Sequence, residues 1–213
     1  MNAFTQRLSL EGPSGSLEVL LDSPEPESGR PARGVAVITH PHPLFGGTMD
    51  NKVVQTLARA FVQCGWSAVR FNFRGVGASA GSYDEGRGEL DDVLAVVRQY
   101  APEGPLALAG FSFGAFVASH AVVALASTRA IDRIVLVGTA ASRFKLAHLP
   151  TELHNNALLI HGERDETVPL MDALDWARPQ NLPVTVVTGA SHFFHGQLTL
   201  LRSLVVRHLN SFS

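Results

Sequence analysis

Short, solid runs of apolar residues alternate along this chain with segments of helical length, and that alternation restricts the fold more than any other feature. Residues 34–39 (GVAVIT), 68–73 (AVRFNF), 105–111 (PLALAGF), 134–137 (IVLV), 157–160 (ALLI) and 184–187 (VTVV) read as strands buried on both faces, and residues 17–21 (LEVLL) form an earlier candidate. Between them, segments 51–64, 89–100, 113–127, 170–177 and 197–208 have the length of helices. Within 89–100, Leu90, Val93, Leu94 and Val97 recur at i, i+3, i+4 and i+7, one face of a helix. The pattern predicts an α/β fold: right-handed crossovers, a mostly parallel central sheet and helices on both of its faces. Ligands of such sheets bind outside the carboxyl ends of the strands.

Composition narrows the functional classes. At 213 residues the chain suits one domain, 1–213, rather than two, since domains average about 150 residues. Hydrophobic residues make up 46% and charged residues 17%, against roughly 25% charged on average, which excludes disorder. The net charge is −2 and the basic residues are scattered, so neither nucleic acid nor an anionic membrane is an expected partner. The longest nearly apolar stretch, 115–126, is interrupted by Ser119 and His120 and falls far short of the ~20 residues that cross a bilayer. Cys64 has no second cysteine to pair with, and residues 1–15 hold no apolar core of signal-peptide length, so the cytoplasm is the expected location. Residues 23–33, dense in proline and charge, are expected to form an exposed loop.

Two segments fit G-x-S-x-G, the pattern of a nucleophile elbow between a strand and a helix. Glycines flank the serine there because a Cβ on either side would collide with neighbouring backbone. Gly110-Phe111-Ser112-Phe113-Gly114 follows the strand 105–111 directly and leads into a helix-prone segment. Gly77-Ala78-Ser79-Ala80-Gly81 lies well past the preceding strand and runs into further turn residues, so Ser79 belongs to a loop. Gly75, Gly77 and Ala80 nearly match a dinucleotide fingerprint, but no helix opens after them, and a plain turn is the better account.

A serine hydroxyl becomes nucleophilic only when a base takes its proton and an acid supports that base. Candidates stand past the carboxyl ends of two later strands: Glu163, Asp165 and Glu166 after 157–160, and His192 and His195 after 184–187. The order serine, acid, histidine is that of hydrolases with this architecture. Here the sequence resembles the α/β-hydrolase superfamily over essentially its whole length. It is most similar to small bacterial members with His-Pro-His-Pro-x-x-Gly-Gly-Thr-Met after an early strand, here residues 40–49, and Arg-Phe-Asn-Phe-Arg-Gly-Val-Gly, here 70–77. The resemblance implies a three-layer α/β-hydrolase fold with Ser112 as nucleophile, Asp165 as acid and His192 as base. His195 reads instead as a helix-end residue and His120 as a packing histidine.

Acyl transfer also needs two N–H donors for the developing oxyanion. One is expected from the backbone of Phe113 and the other from the loop after 34–39. Proline has no N–H, so Pro41 and Pro43 are excluded, leaving His42, Leu44 and Phe45. Resemblance to dienelactone-hydrolase-like members, in which the first residue of an Ile-Phe-Gly stretch donates, selects Leu44 of Leu44-Phe45-Gly46. His40, His42, His192 and His195 lack an acidic partner at metal spacing, so no metal and no cofactor are expected, and Asp50 and Asn51 are expected to cap the next helix.

Only 19 residues, 138–156, separate the strands 134–137 and 157–160, too few for the cap domain that larger members insert there. The site should be open, with Phe45, Phe113, Phe193 and Phe194 as its walls. The resulting expectation is a serine esterase for short or activated carboxylic esters, acting on a small molecule through an acyl-enzyme. A thioesterase or dienelactone-like lactone hydrolase is the second enzymatic reading, weakened because that family's nucleophile is typically cysteine. A binding protein with a vestigial serine is the third.

Overall fold

The structure, a computed structural model, describes residues 4–25 and 32–211. The strands are β1 (Thr5–Gly12), β2 (Gly15–Asp22), β3 (Val35–Thr39), β4 (Ser67–Phe71), β5 (Leu106–Phe111), β6 (Ile131–Val137), β7 (Ala157–Gly162) and β8 (Val184–Val187). The α-helices are α1 (Lys52–Gln63), α2 (Arg87–Tyr100), α3 (Phe113–Ala126), α4 (Leu170–Ala177) and α5 (Leu198–Asn210). Among the described residues the strands form one eight-stranded sheet in the order β1-β2-β4-β3-β5-β6-β7-β8. β3 to β8 run parallel, and the β1–β2 hairpin adds an antiparallel edge.

β1 is not among the strands expected from the sequence. It alternates polar with apolar residues at the edge of the sheet, with β2 on one side and solvent on the other, and so has no solid apolar run. Part of the expected loop 23–33, residues 26–31, lies outside the described residues.

Strand alternation divides the interior into two cores. In β5, Leu106 and Leu108 face one way and meet Val93 and Val96 of α2, Val117 and Ala121 of α3 and Ala177 of α4. Ala107, Ala109 and Phe111 face the other way and meet Val54, Leu57 and Phe61 of α1 and Leu201, Val205 and Leu209 of α5. Each buried large side chain contributes roughly 1.5–3 kcal/mol. α3 is buried without interruption from Phe113 to Ser119, which explains its apolar character all round. Between β6 and β7 the chain forms a loop and a short 3-10 helix, Thr151–Asn156, with no cap domain.

Strand order reverses at β3, which carries β4 on one side and β5 on the other, so a crevice opens beyond the carboxyl ends of β3 and β5. The loop leaving β3 is clamped to β4 and the residues just past it. Arg70, buried and paired with Asp22 at 2.7 Å, donates to the Met49 carbonyl at 2.9 Å. Asn72 Oδ1 accepts the Met49 N–H at 2.9 Å, and His40 Nε2 accepts the Phe73 N–H at 3.0 Å. Asn51 then caps α1, its side chain accepting the Val53 N–H at 2.8 Å. The stretch 70–73 is therefore a brace for the loop 40–49.

The brace requires a neutral His40. Its Nδ1–H donates to the Pro41 carbonyl at 2.6 Å while Nε2 accepts, so a second ring proton would displace the Phe73 N–H. Burial lowers its pKa to about 4, although the Pro41 carbonyl acts in the opposite direction. Because the folded-state value lies below that of the unfolded chain, the contribution to stability is complete above about pH 6.5 and is lost as pH falls toward 4. Urea unfolding across this range is expected to show His40 contributing about 3 kcal/mol to the loss. By NMR, its ring should remain neutral at pH 5.

Candidate active site

Ser112 occupies the single residue between β5 and α3, with φ 58° and ψ −118°. A non-glycine residue rarely adopts positive φ, and here the surroundings impose it. A Cβ on Gly110 would lie 2.4 Å from the Gly114 carbonyl oxygen, and one on Gly114 would lie 2.4 Å from that of Thr39. The glycines thus allow β5 and α3 to close on each other and on β3, leaving the serine at the apex. Ser79, by contrast, is buried in a loop, donating to the Asn72 carbonyl at 2.7 Å and accepting the Glu18 N–H at 2.9 Å. Its hydroxyl serves the structure.

The loops after β7 and β8 bring Asp165 and His192 to Ser112. His192 Nδ1 is 2.6 Å from Asp165 Oδ2, and Nε2 is 3.1 Å from Ser112 Oγ. An ionised carboxylate only accepts, so Nδ1 carries the proton and Nε2 offers its lone pair to the serine hydroxyl. Asp165 Oδ1 accepts the N–H groups of Thr167 and Val168 at 2.9 and 2.7 Å. Burial by itself raises the Asp165 pKa, but the His192 hydrogen bond and charge, the Val168 N–H and His161 together outweigh it and bring the carboxyl below its ordinary value. The acid therefore remains ionised at neutral pH, and the arrangement is equipped to move a proton from Ser112 to His192.

The alternative residues have other surroundings. Glu163 accepts the Gly189 N–H at 2.7 Å, and Glu166 and His195 are exposed. His120 lies on α3 with its ring 3.0 Å from the Lys145 carbonyl. His161, beneath the site, is 2.9 Å from the Val168 carbonyl and 3.5 Å from Asp165. Among the described residues, no three His, Cys, Asp or Glu side chains gather as metal ligands.

A cleft of about 330 Å³ opens above Ser112. Phe45, Phe113 and Phe193 line it, as expected. Phe194 does not: its backbone is left-handed at φ 53°, and the side chain, 0% exposed, turns into the core beside Val187 and Leu201. Phe144, Thr167, Val168 and Arg143 are lining residues that the motifs did not single out. Arg143 and Phe144 come from a loop without a sequence signature, whereas Thr167 and Val168 belong to the His-Gly-x-x-Asp-x-x-Val-Pro stretch, 161–169, that carries Asp165.

Leu44 also departs from expectation. It is 68% exposed and does not line the cleft, and its N–H donates to His42 Nδ1 at 3.2 Å. The N–H groups of Phe45 and Gly47 both donate to the His42 carbonyl, at 3.1 and 3.0 Å. The turn Pro43–Phe45 thus consumes these donors internally, as a short 3-10 helix does. The N–H of His42 itself makes no hydrogen bond among the described residues. The rings of His42 and Phe113 are 5.0 Å apart. Burial and the Arg143 charge lower the His42 pKa, in keeping with a neutral ring that accepts at Nδ1.

Comparison with known proteins places this geometry among hydrolases. Residues 31–158 match the family described as serine aminopeptidase, S33. The crystal structure of an α/β serine hydrolase without a lid from Xanthomonas campestris is 37% identical, with a TM-score of 0.87 over 100% of this chain and 96% of that one. An α/β serine hydrolase homologue from Coxiella burnetii is 40% identical, with a TM-score of 0.80 and 98% of each chain covered. An uncharacterized protein of Rickettsia prowazekii is 30% identical over 88% of this chain and 82% of its own length.

Proposed function

The chain belongs to the serine aminopeptidase, S33 family of α/β hydrolases, and from that premise we propose that it is a serine esterase cleaving short or activated carboxylic esters through an acyl-enzyme. The observation that carries this reading is the continuous hydrogen-bonded path Ser112–His192–Asp165 at the floor of an open, largely apolar cleft. In this mechanism Ser112 Oγ attacks the ester carbonyl as its proton passes to His192 Nε2, and Asp165 stabilises the resulting imidazolium. His192 then gives that proton to the departing alkoxide, leaving the acyl group on Ser112. Water entering the open cleft loses a proton to His192 as it attacks the acyl-enzyme, and the carboxylic acid is released with Ser112 restored.

The tetrahedral oxyanion takes its hydrogen bonds from Phe113 and, in place of Leu44, from His42. The Phe113 N–H belongs to the first turn of α3, where helical geometry provides no partner and the helix dipole favours negative charge. The His42 ring acts indirectly: by accepting the Leu44 N–H it holds the turn that sets the direction of its own backbone N–H.

Esters are preferred over peptides with a free amino terminus for an electrostatic reason. An aminopeptidase needs negative charge near the scissile bond to hold an α-ammonium group. Among the described residues lining this cleft there is no carboxylate, and the permanent charge present is the cation of Arg143. Asp165 lies behind His192 and is committed to it.

With 4-nitrophenyl acetate, Ser112→Ala and His192→Ala are expected to lower kcat by about 10⁵-fold or more, and Asp165→Asn by about 10⁴-fold. A fluorophosphonate probe should label the wild type and not Ser112→Ala. Hydrolysis of amino-acid 4-nitroanilides in preference to the ester would overturn the substrate assignment. The oxyanion assignment has its own test, because His42 already has φ −53°, within the range of proline. His42→Pro, which deletes the N–H, is expected to reduce kcat/KM by about 10²-fold relative to His42→Ala, which keeps it. Equal rates for these two variants would exclude that donor.

A further inference from the structure

Arg143 is the one Arg, Lys, Asp or Glu among the described residues lining the cleft. Other arginines have carboxylate partners: Arg70 with Asp22, Arg74 with Asp92 and Arg87 with Asp84. Among the described residues Arg143 forms no ion pair, and it lines both the cleft and the adjoining depression that holds Tyr83 and Glu85. Arg143 is exposed, so it acts as a solvent-accessible cation beside aromatic walls, whose pull on a compact anion is screened by salt.

The turn presenting Arg143 is anchored. The N–H groups of Arg143 and Phe144 both donate to the Ala140 carbonyl, at 3.2 and 3.1 Å. The Phe144 ring stacks on Phe116 at 4.8 Å and 20°, and packs edge-on to Phe113 at 5.2 Å. The same ring is 5.8 Å from that of His42, which places the turn toward the His42 end of the cleft. The depression of the His42 pKa by the Arg143 charge agrees with that placement.

In the esterase reading, on which this inference rests, the leaving alcohol must stay within reach of His192 Nε2. The acyl chain therefore takes the other end, past Phe144 toward Arg143. We propose that Arg143 selects esters whose acyl chain ends in a carboxylate, that is, half-esters of short dicarboxylic acids. The guanidinium holds the distal carboxylate through up to two N–H donors, and the aromatic walls take the intervening methylenes. The net reaction joins one water to the half-ester and releases the dicarboxylic acid and the alcohol.

The test compares the 4-nitrophenyl half-ester of adipic acid with the same ester carrying a methyl-capped distal carboxyl. At low salt the wild type is expected to favour the free carboxylate by about tenfold in kcat/KM, a preference that shrinks as salt rises. Arg143→Gln should abolish the preference, Arg143→Glu reverse it and Arg143→Lys retain part of it. Calorimetric titration of the Ser112→Ala protein with adipate reads recognition without turnover, and adding Arg143→Gln should weaken that binding about tenfold. If both esters are hydrolysed with the same ratio in wild type and Arg143→Gln, the Arg143 proposal fails and the esterase reading stands. If neither ester is turned over while adipate binding still depends on Arg143, the esterase reading fails and the anion site stands. Adipate binding that is equal with and without Arg143 would also overturn the proposal.

Discussion

The backbone at Ser112 is the constraint on which the rest of the site depends. A serine held at positive φ between a buried strand and a buried helix is costly, by about 1–3 kcal/mol, and persists only where packing determines it from several sides. Here β3, β5 and α3 approach so closely that Gly110 and Gly114 have no room for a Cβ. That closeness holds Ser112 at the start of α3 with its hydroxyl 3.1 Å from His192 Nε2. Loosening it would displace both at once.

Around that point several buried polar groups each hold a loop. The loop after β3 hangs on Arg70, Asn72 and His40, each with a partner on the opposite strand or loop. Asp165 is held by two backbone N–H groups of its own loop before it meets His192, so the acid is oriented by the chain that carries it. A charged or polar group buried without partners would cost several kcal/mol, and here the same bonds that avoid the cost supply the geometry. The short 3-10 turn at Pro43–Phe45 follows the same logic, and in satisfying its own donors it leaves the His42 N–H without a hydrogen bond among the described residues.

Without a cap domain, access and selectivity fall to side chains at the rim. Phe45 and Phe193 are exposed there, and the Phe144 ring stacks on Phe116. The cleft is open and largely apolar, and Arg143 is the one Arg, Lys, Asp or Glu among the described residues that line it.

Much of this was legible in the sequence, for definite reasons. Solid apolar runs identify buried parallel strands whatever the tertiary detail, and glycines at 110 and 114 mark a close approach that other residues cannot make. The positions of Asp165 and His192 just past strand ends put them on the edge that carries Ser112, because all parallel strands end on one side. Other features depended on contacts between segments remote in sequence. β1 has no signal of its own because an edge strand needs only one apolar face. Phe194 and Phe193 are adjacent in sequence, yet a left-handed turn sends one into the core and leaves the other at the cleft. Leu44 and His42 both have an N–H, and only the folded turn decides which is consumed. Arg143 is one of many charged loop residues until the fold sets it beside His42. The sequence determined which residues are candidates for the chemistry, because that depends on residue type and strand order. Tertiary structure decided which donors remain free and which charge faces the cleft, because both depend on how separate loops pack.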